Sequence, residues 1–161
     1  LSVHGGDRLR GDKVFRNQGA CLQCHQIDKD GGVQGPSLSL VGDRLNADKL
    51  LESLVNPSAE ITPGYGLSSI STLDGITLVG RVAERVEGSS TISVITPDGK
   101  ETELENDQIA SISPPVSAMP PLGLTLDPLD LRDLIAYLRS RNKADLLALD
   151  SKVKRGSEHG K

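Results

Sequence analysis

Two cysteines three positions apart, followed at once by a histidine, constrain this chain more than any other feature: Cys21-Leu22-Gln23-Cys24-His25. The two stand too close in sequence to act as a long-range disulfide staple, and with no third cysteine a four-cysteine zinc site is excluded by count.

The spacing has a chemical meaning. Two thiols at this separation can add to the two vinyl groups on one edge of a haem. The adjoining imidazole then lies where it can offer a ring nitrogen to the iron. Covalent tethering keeps the group in a small protein that cannot otherwise enclose it well. Two other readings compete less well. A thioredoxin-like dithiol belongs at a strand-to-helix junction of a βαβ unit, whereas here the pair follows a helical pattern. Half a zinc site would need further ligands, and the other histidines, His4 and His159, are remote terminal residues. The expected cofactor is therefore one covalently attached haem c, with Cys21 and Cys24 as attachment points and His25 as an iron ligand.

Composition is compatible with this. The chain has no Trp, one Phe (Phe15) and two Tyr (Tyr65 and Tyr137). Its core must come from Leu, Val and Ile, or from a borrowed apolar group such as a porphyrin. The formal net charge is −4 and the pI near 5.4, with no basic cluster before Lys152–Arg155. Nucleic acid is not an expected partner. No apolar run reaches the roughly 20 residues of a membrane span. The chain begins at Leu1 without an apolar leader core, and reads as a mature or excised piece whose targeting segment is not visible.

The hydrophobic period changes along the chain. Asp7 to about Asn17 reads as a helix capped by Asp7, with Gly11, Val14, Phe15 and Gln18 on one face. A glycine-rich loop spans Asp30–Pro36. Asn46 caps a second helix carrying Leu50, Leu51, Leu54 and Val55, and Pro57 stops it. From Leu67 to Ile112 the period falls to about two. Strands are predicted near 67–72, 76–86, 90–96, 101–105 and 108–113, with Asp74-Gly75 and Asp98-Gly99 as turn dipeptides. A helix begins after Asp127, with Pro128 in its first position and Leu131, Leu134, Ile135 and Leu138 as its buried stripe. A further short helix is expected over Lys143–Asp150, and residues 151–161 read as a frayed polar tail.

Taken together, Cys21–His25, Gly35-Pro36-Ser37-Leu38, the proline-flanked Met119 and the Leu-rich helix carrying Tyr137 resemble class I cytochrome c. More closely, they resemble the planctomycete-type haem-binding domain, a C-terminal c-type cytochrome module of large secreted bacterial proteins. The resemblance covers roughly Gly5 to Arg141. It implies a mainly α cytochrome c fold, about four helices around a covalent haem. A small all-β insertion, 66–115, would lie between the third helix and the Met-ligand loop of a single 1–161 domain. It implies that Gly11 and Phe15 meet the Leu134–Leu138 face near Tyr137, and that the Pro36 carbonyl accepts from the His25 ring. Phe15 stands two residues further from the first cysteine than in common members, so the turn before Cys21 is expected to differ.

Met119 is the expected sixth ligand. It is the only Met in the chain and precedes Pro120, which holds the preceding backbone extended. A thioether is a soft, neutral ligand that raises the reduction potential relative to a second His. The rival readings are a gap-filling core Met and ligation by His4 or His159. Arg44 and Tyr65 are candidates for the haem propionates, set against a solvated Arg and a packed Tyr.

The expected function is single-electron transfer by a non-enzymatic module of a larger redox protein. Its partners would be redox donor and acceptor proteins or a fused dehydrogenase domain. The alternative is a haem-based ligand sensor or a peroxidatic haem with a labile sixth ligand. The resemblance implies covalent haem attachment outside the cytoplasm in bacteria, so a periplasmic or otherwise exported location is expected; free thiols persist poorly there, and thioether formation consumes both.

Overall fold

The computed structural model describes residues 5–83 and 88–149. The chain forms two compact units, Leu1–Asn56 with Pro121–Lys161, and Pro57–Pro120.

Four helices frame the first unit: α1 (Arg8–Arg16), α2 (Val41–Arg44), α3 (Ala47–Val55) and α4 (Pro128–Ser140). Three of them start where the capping side chains dictate. Asp7 accepts from the Leu9 and Arg10 N–H groups, Asn46 from Lys49, and Asp127 from Leu129, each satisfying donors that have no partner inside the helix. A short hairpin pairs β1 (Gln26–Ile27) with β2 (Asp30–Gly31). Residues 143–149 are helical; Asp150 and the 151–161 tail lie outside the described residues.

Helix α4 packs against α1, α2 and α3. Val14, Phe15, Val41, Leu50, Leu54, Leu131, Leu134, Ile135 and Leu138 are all buried. Phe15 and Tyr137 meet with ring centroids 5.4 Å apart, inclined at 51°. Gly11 is where α1 comes closest to α4. A Cβ there would lie 2.0 Å from the Asp133 carbonyl oxygen and 2.7 Å from the Tyr137 Cβ. Gly11→Ala should destabilise the protein by about 2 kcal/mol in urea unfolding. Overpacking costs up to about 3 kcal/mol, partly offset by about 1 kcal/mol of better helix propensity.

The second unit is a six-stranded antiparallel sheet built from β3 (Gly66–Thr72), β4 (Thr77–Val82), β5 (Thr91–Ile95), β6 (Glu101–Glu105), β7 (Ile109–Ile112) and β8 (Val116–Ser117). Its order is β6-β5-β4-β3-β7, with β8 also pairing β3. Alternation sets the inward face: Ile70, Ile92 and Val94 are buried, with Val82, Leu104, Ile109 and Ile112 packed on them. Gly75 and Gly99 adopt φ of +88° and +82° in the two Asp-Gly turns, a conformation that glycine takes without steric cost. β6 ends the sheet order, and its Glu101, Glu103 and Glu105 are exposed.

The expectation of a mainly α fold is overturned. Among the described residues helix makes up only 36%, in five helices, beside the large six-stranded sheet. The helices are short, with α1 and α3 of nine residues each and α4 of thirteen. The alternating segment meanwhile forms a unit with its own core rather than a small decoration. Some local details also differ. Gln18 lies beyond α1 and is exposed, while α2 and β8 have too few residues to produce a readable period.

Candidate functional site

The cysteine pair sits on a tight turn that begins from an uncommon backbone. Ala20 is in the left-handed region at φ 46°, and a 3-10 turn follows over Cys21–Gln23. The Cys24 and His25 N–H groups both donate to the Cys21 carbonyl, at 3.2 and 2.8 Å. In such a turn, positions i and i+3 lie one above the other, so Cys21 and Cys24 share a face. A non-glycine residue in the left-handed region carries about 1 kcal/mol of strain. Ala20→Gly is expected to raise the unfolding free energy by about that amount in urea titrations.

The two sulfurs differ in setting. Cys24 is exposed and Cys21 half-buried. The Cys21 Sγ lies 3.5 Å from the Gly19 carbonyl oxygen, and burial pushes its thiol up to about 11.

After the β1–β2 hairpin the chain folds back along the motif. Gly32 donates to the Leu22 carbonyl and Gly35 to the Cys24 carbonyl, each at 2.8 Å. These two bonds bring Pro36 to the half-buried His25 ring. The His25 Nδ1 lies 2.8 Å from the Pro36 carbonyl oxygen. A carbonyl can only accept, so Nδ1 carries the proton and Nε2 keeps its lone pair. Two thiols on one face of a turn beside an imidazole of fixed tautomer suit a haem held by two thioethers and one nitrogen. Among the described residues, no group of three or more His, Cys, Asp or Glu side chains is arranged to hold a metal ion by itself.

The other sequence candidates fall in different places. Arg44 is exposed and donates to the Ser37 carbonyl at 2.6 Å, bracing the segment just past Pro36. Tyr65 belongs to the second unit, where the Arg81 guanidinium lies 5.9 Å from its ring centroid. Met119 also belongs to the second unit. It is half-buried, and its N–H donates to the Ser117 hydroxyl at 3.2 Å. His4 and His159 lie outside the described residues.

One buried charge escaped the sequence reading. Asp133, on α4, is fully buried. Its Oδ1 accepts from the Asp7 N–H at 2.8 Å and from Arg132 at 3.3 Å, while the Arg10 Nε lies 3.1 Å from Oδ2. It thereby ties the start of α1 to α4. Its place between Leu131 and Leu134 of the apolar stripe was the available signal.

Residues 9–70 match the family model for cytochrome c. The matched stretch includes α1 from Leu9 onward, the attachment motif, the glycine loop, α2, α3 and most of β3, and it ends before Met119 and α4. A search of curated proteins gives no match. The match and the Cys21/Cys24 motif establish covalently bound haem c, with its iron, as the cofactor. They carry electron transfer as the general role.

Proposed function

With a cytochrome c domain as the premise, we propose that this chain is a class I type electron-transfer module whose iron is held by His25 and Met119. Haem, when bound, supplies a one-electron iron couple. Cys21 and Cys24 fix the group in place through thioethers. His25 presents Nε2 because the Pro36 carbonyl holds the proton at Nδ1, a bond that also raises the basicity of the ring. Met119 adds a soft, neutral donor that favours the reduced state. In its support stand its position as the only Met in the chain and the Pro120-Pro121 pair that stiffens the backbone after it. With His25 and Met119 both holding the iron, no position would remain for a substrate, and the domain's own residues would serve burial, ligation and exchange with protein partners.

The partners are donor and acceptor proteins or a dehydrogenase domain on the same polypeptide, as in the planctomycete-type modules. Cytochrome c domains are typically exported, and among the described residues no helix is long and apolar enough to cross a membrane. A periplasmic location fits both statements.

The observation that carries the proposal is the hydrogen bond from His25 to Pro36 behind a correctly spaced thiol pair. The test is the visible spectrum of the reduced, haem-loaded protein with and without carbon monoxide. A sharp low-spin spectrum that carbon monoxide leaves unchanged is expected. A large shift would instead assign a haem with an open or labile sixth position, suited to ligand sensing or peroxide chemistry. A protein that acquires no haem in a maturation-competent host would refute the proposal.

A further inference from the structure

The glycine loop does more than bring Pro36 to the imidazole. A Cβ built at Gly35 would stand 2.7 Å from the His25 Cε1, 2.8 Å from Nδ1 and 3.1 Å from Nε2. The small spread of these distances places it over the ring face, because an edge-on approach to Cε1 would leave both nitrogens much further away. All three lie well inside ordinary van der Waals contact. The bare Cα of Gly35 therefore forms one wall of the imidazole's seat.

The wall cannot easily retreat. The Gly35 N–H is bonded to the Cys24 carbonyl at 2.8 Å, immediately before the histidine. The next residue is Pro36, whose ring fixes its own φ and restricts the residue before it. The Pro36 carbonyl is the acceptor for His25 Nδ1. Backbone on both sides of position 35 is thus committed to the motif, and an added methyl group must push the ring.

We infer that Gly35 is a positioning residue for the axial histidine: its missing side chain sets the plane of the His25 ring and keeps Nδ1 on the Pro36 carbonyl. The inference rests on the reading of His25 as an iron ligand. Gly11 provides an internal comparison. A Cβ there would strike the Asp133 carbonyl oxygen at 2.0 Å, outside the attachment motif, and no His25 atom is among its nearest neighbours. Gly11→Ala should strain the α1–α4 packing while sparing the ring. Gly35→Ala should displace the ring.

The experiment compares haem-loaded wild type, Gly35→Ala and Gly11→Ala. The readouts are solvent exchange of the His25 Nδ1 proton by NMR and the g values of the oxidised protein by electron paramagnetic resonance. Gly35→Ala is expected to speed that exchange by about tenfold or more, the scale on which outer partners of metal ligands act, and to shift the g values. Gly11→Ala is expected to leave both at wild-type values even though it lowers the melting temperature. Wild-type exchange and g values in Gly35→Ala would overturn the inference, as would equal changes in the two variants. The wild-type protein gives a check that needs no variant to fold: a nuclear Overhauser contact between the Gly35 Hα protons and His25 Hε1 is expected, and its absence would overturn the inference. Failure of the underlying reading looks different. In that case His25→Ala would keep the wild-type low-spin spectrum.

Discussion

On the ligation proposed above, with Met119 in the sixth position, Met119→Ala should turn the reduced, haem-loaded protein into a carbon monoxide binder. Alanine has no donor atom, so water or an added ligand takes the vacated position. The Soret band of the reduced variant should shift on adding carbon monoxide, while the parent stays inert. The reduction potential should fall on the order of 0.1–0.3 V, because a neutral thioether that favours the reduced state is lost. Spectroelectrochemistry and a carbon monoxide titration on the same preparation measure both effects. A variant that stays low-spin and inert would show that another side chain holds the sixth position, and His4→Ala in the Met119→Ala background would then be the next protein to make.

Asp133→Ala should lower the unfolding free energy by about 3 kcal/mol, read as a lower urea midpoint at unchanged slope. The carboxylate is fully buried, while its partners Arg10 and Arg132 keep side-chain exposures of 54% and 32%. The guanidinium groups can therefore turn to water once it is gone, which places the cost at the low end for a broken buried pair. The Asp7 N–H is less free to do so, because Asp7 is held at the start of α1 as its cap. Asp133→Asn separates the two contributions. It keeps an oxygen for the Asp7 N–H and loses the charge, so it should cost about half as much. Equal losses in the two variants would mean that the charge, not the backbone clasp, does most of the stabilising.

The sequence was most informative where a local rule decides the structure. Asp7, Asn46 and Asp127 cap helices because each places an oxygen beside donors that would otherwise be unpaired. The Asp-Gly pairs at 74–75 and 98–99 turn strands because glycine accepts positive φ. Alternation between Leu67 and Ile112 was enough to find five strands near their observed positions, although residues 84–86 of the predicted 76–86 strand lie outside the described residues. The site was legible to the extent that its members are adjacent in sequence, as in Cys21–His25. Gly31 and Gly32 read only as part of a glycine-rich loop, and Gly35 only as the start of the Gly35–Leu38 stretch that helped carry the resemblance. In the structure each is a point of close approach: a Cβ would strike the His25 carbonyl oxygen, the Gln23 carbonyl oxygen or the His25 ring, respectively. Such contacts depend on how the chain returns on itself, which no window of neighbouring residues records. Asp133 was missed for the same reason, since the Asp7 N–H that it accepts is 126 residues away. The fold class failed on proportion. Resemblance to a helical family set the expectation, and the weight of the β segment went uncounted.

The row of Glu101, Glu103 and Glu105 at the end of the sheet has a consequence for the protein in bulk. An open strand border is a template on which a second chain can continue the ladder, and fibres begin that way. Three carboxylates on one side of such a border make two copies repel as they approach, so β6 works as a guard against polymerisation. Engineering that replaces these glutamates with valine or threonine, however well it suits an isolated strand, would remove the guard and trade solubility for β propensity.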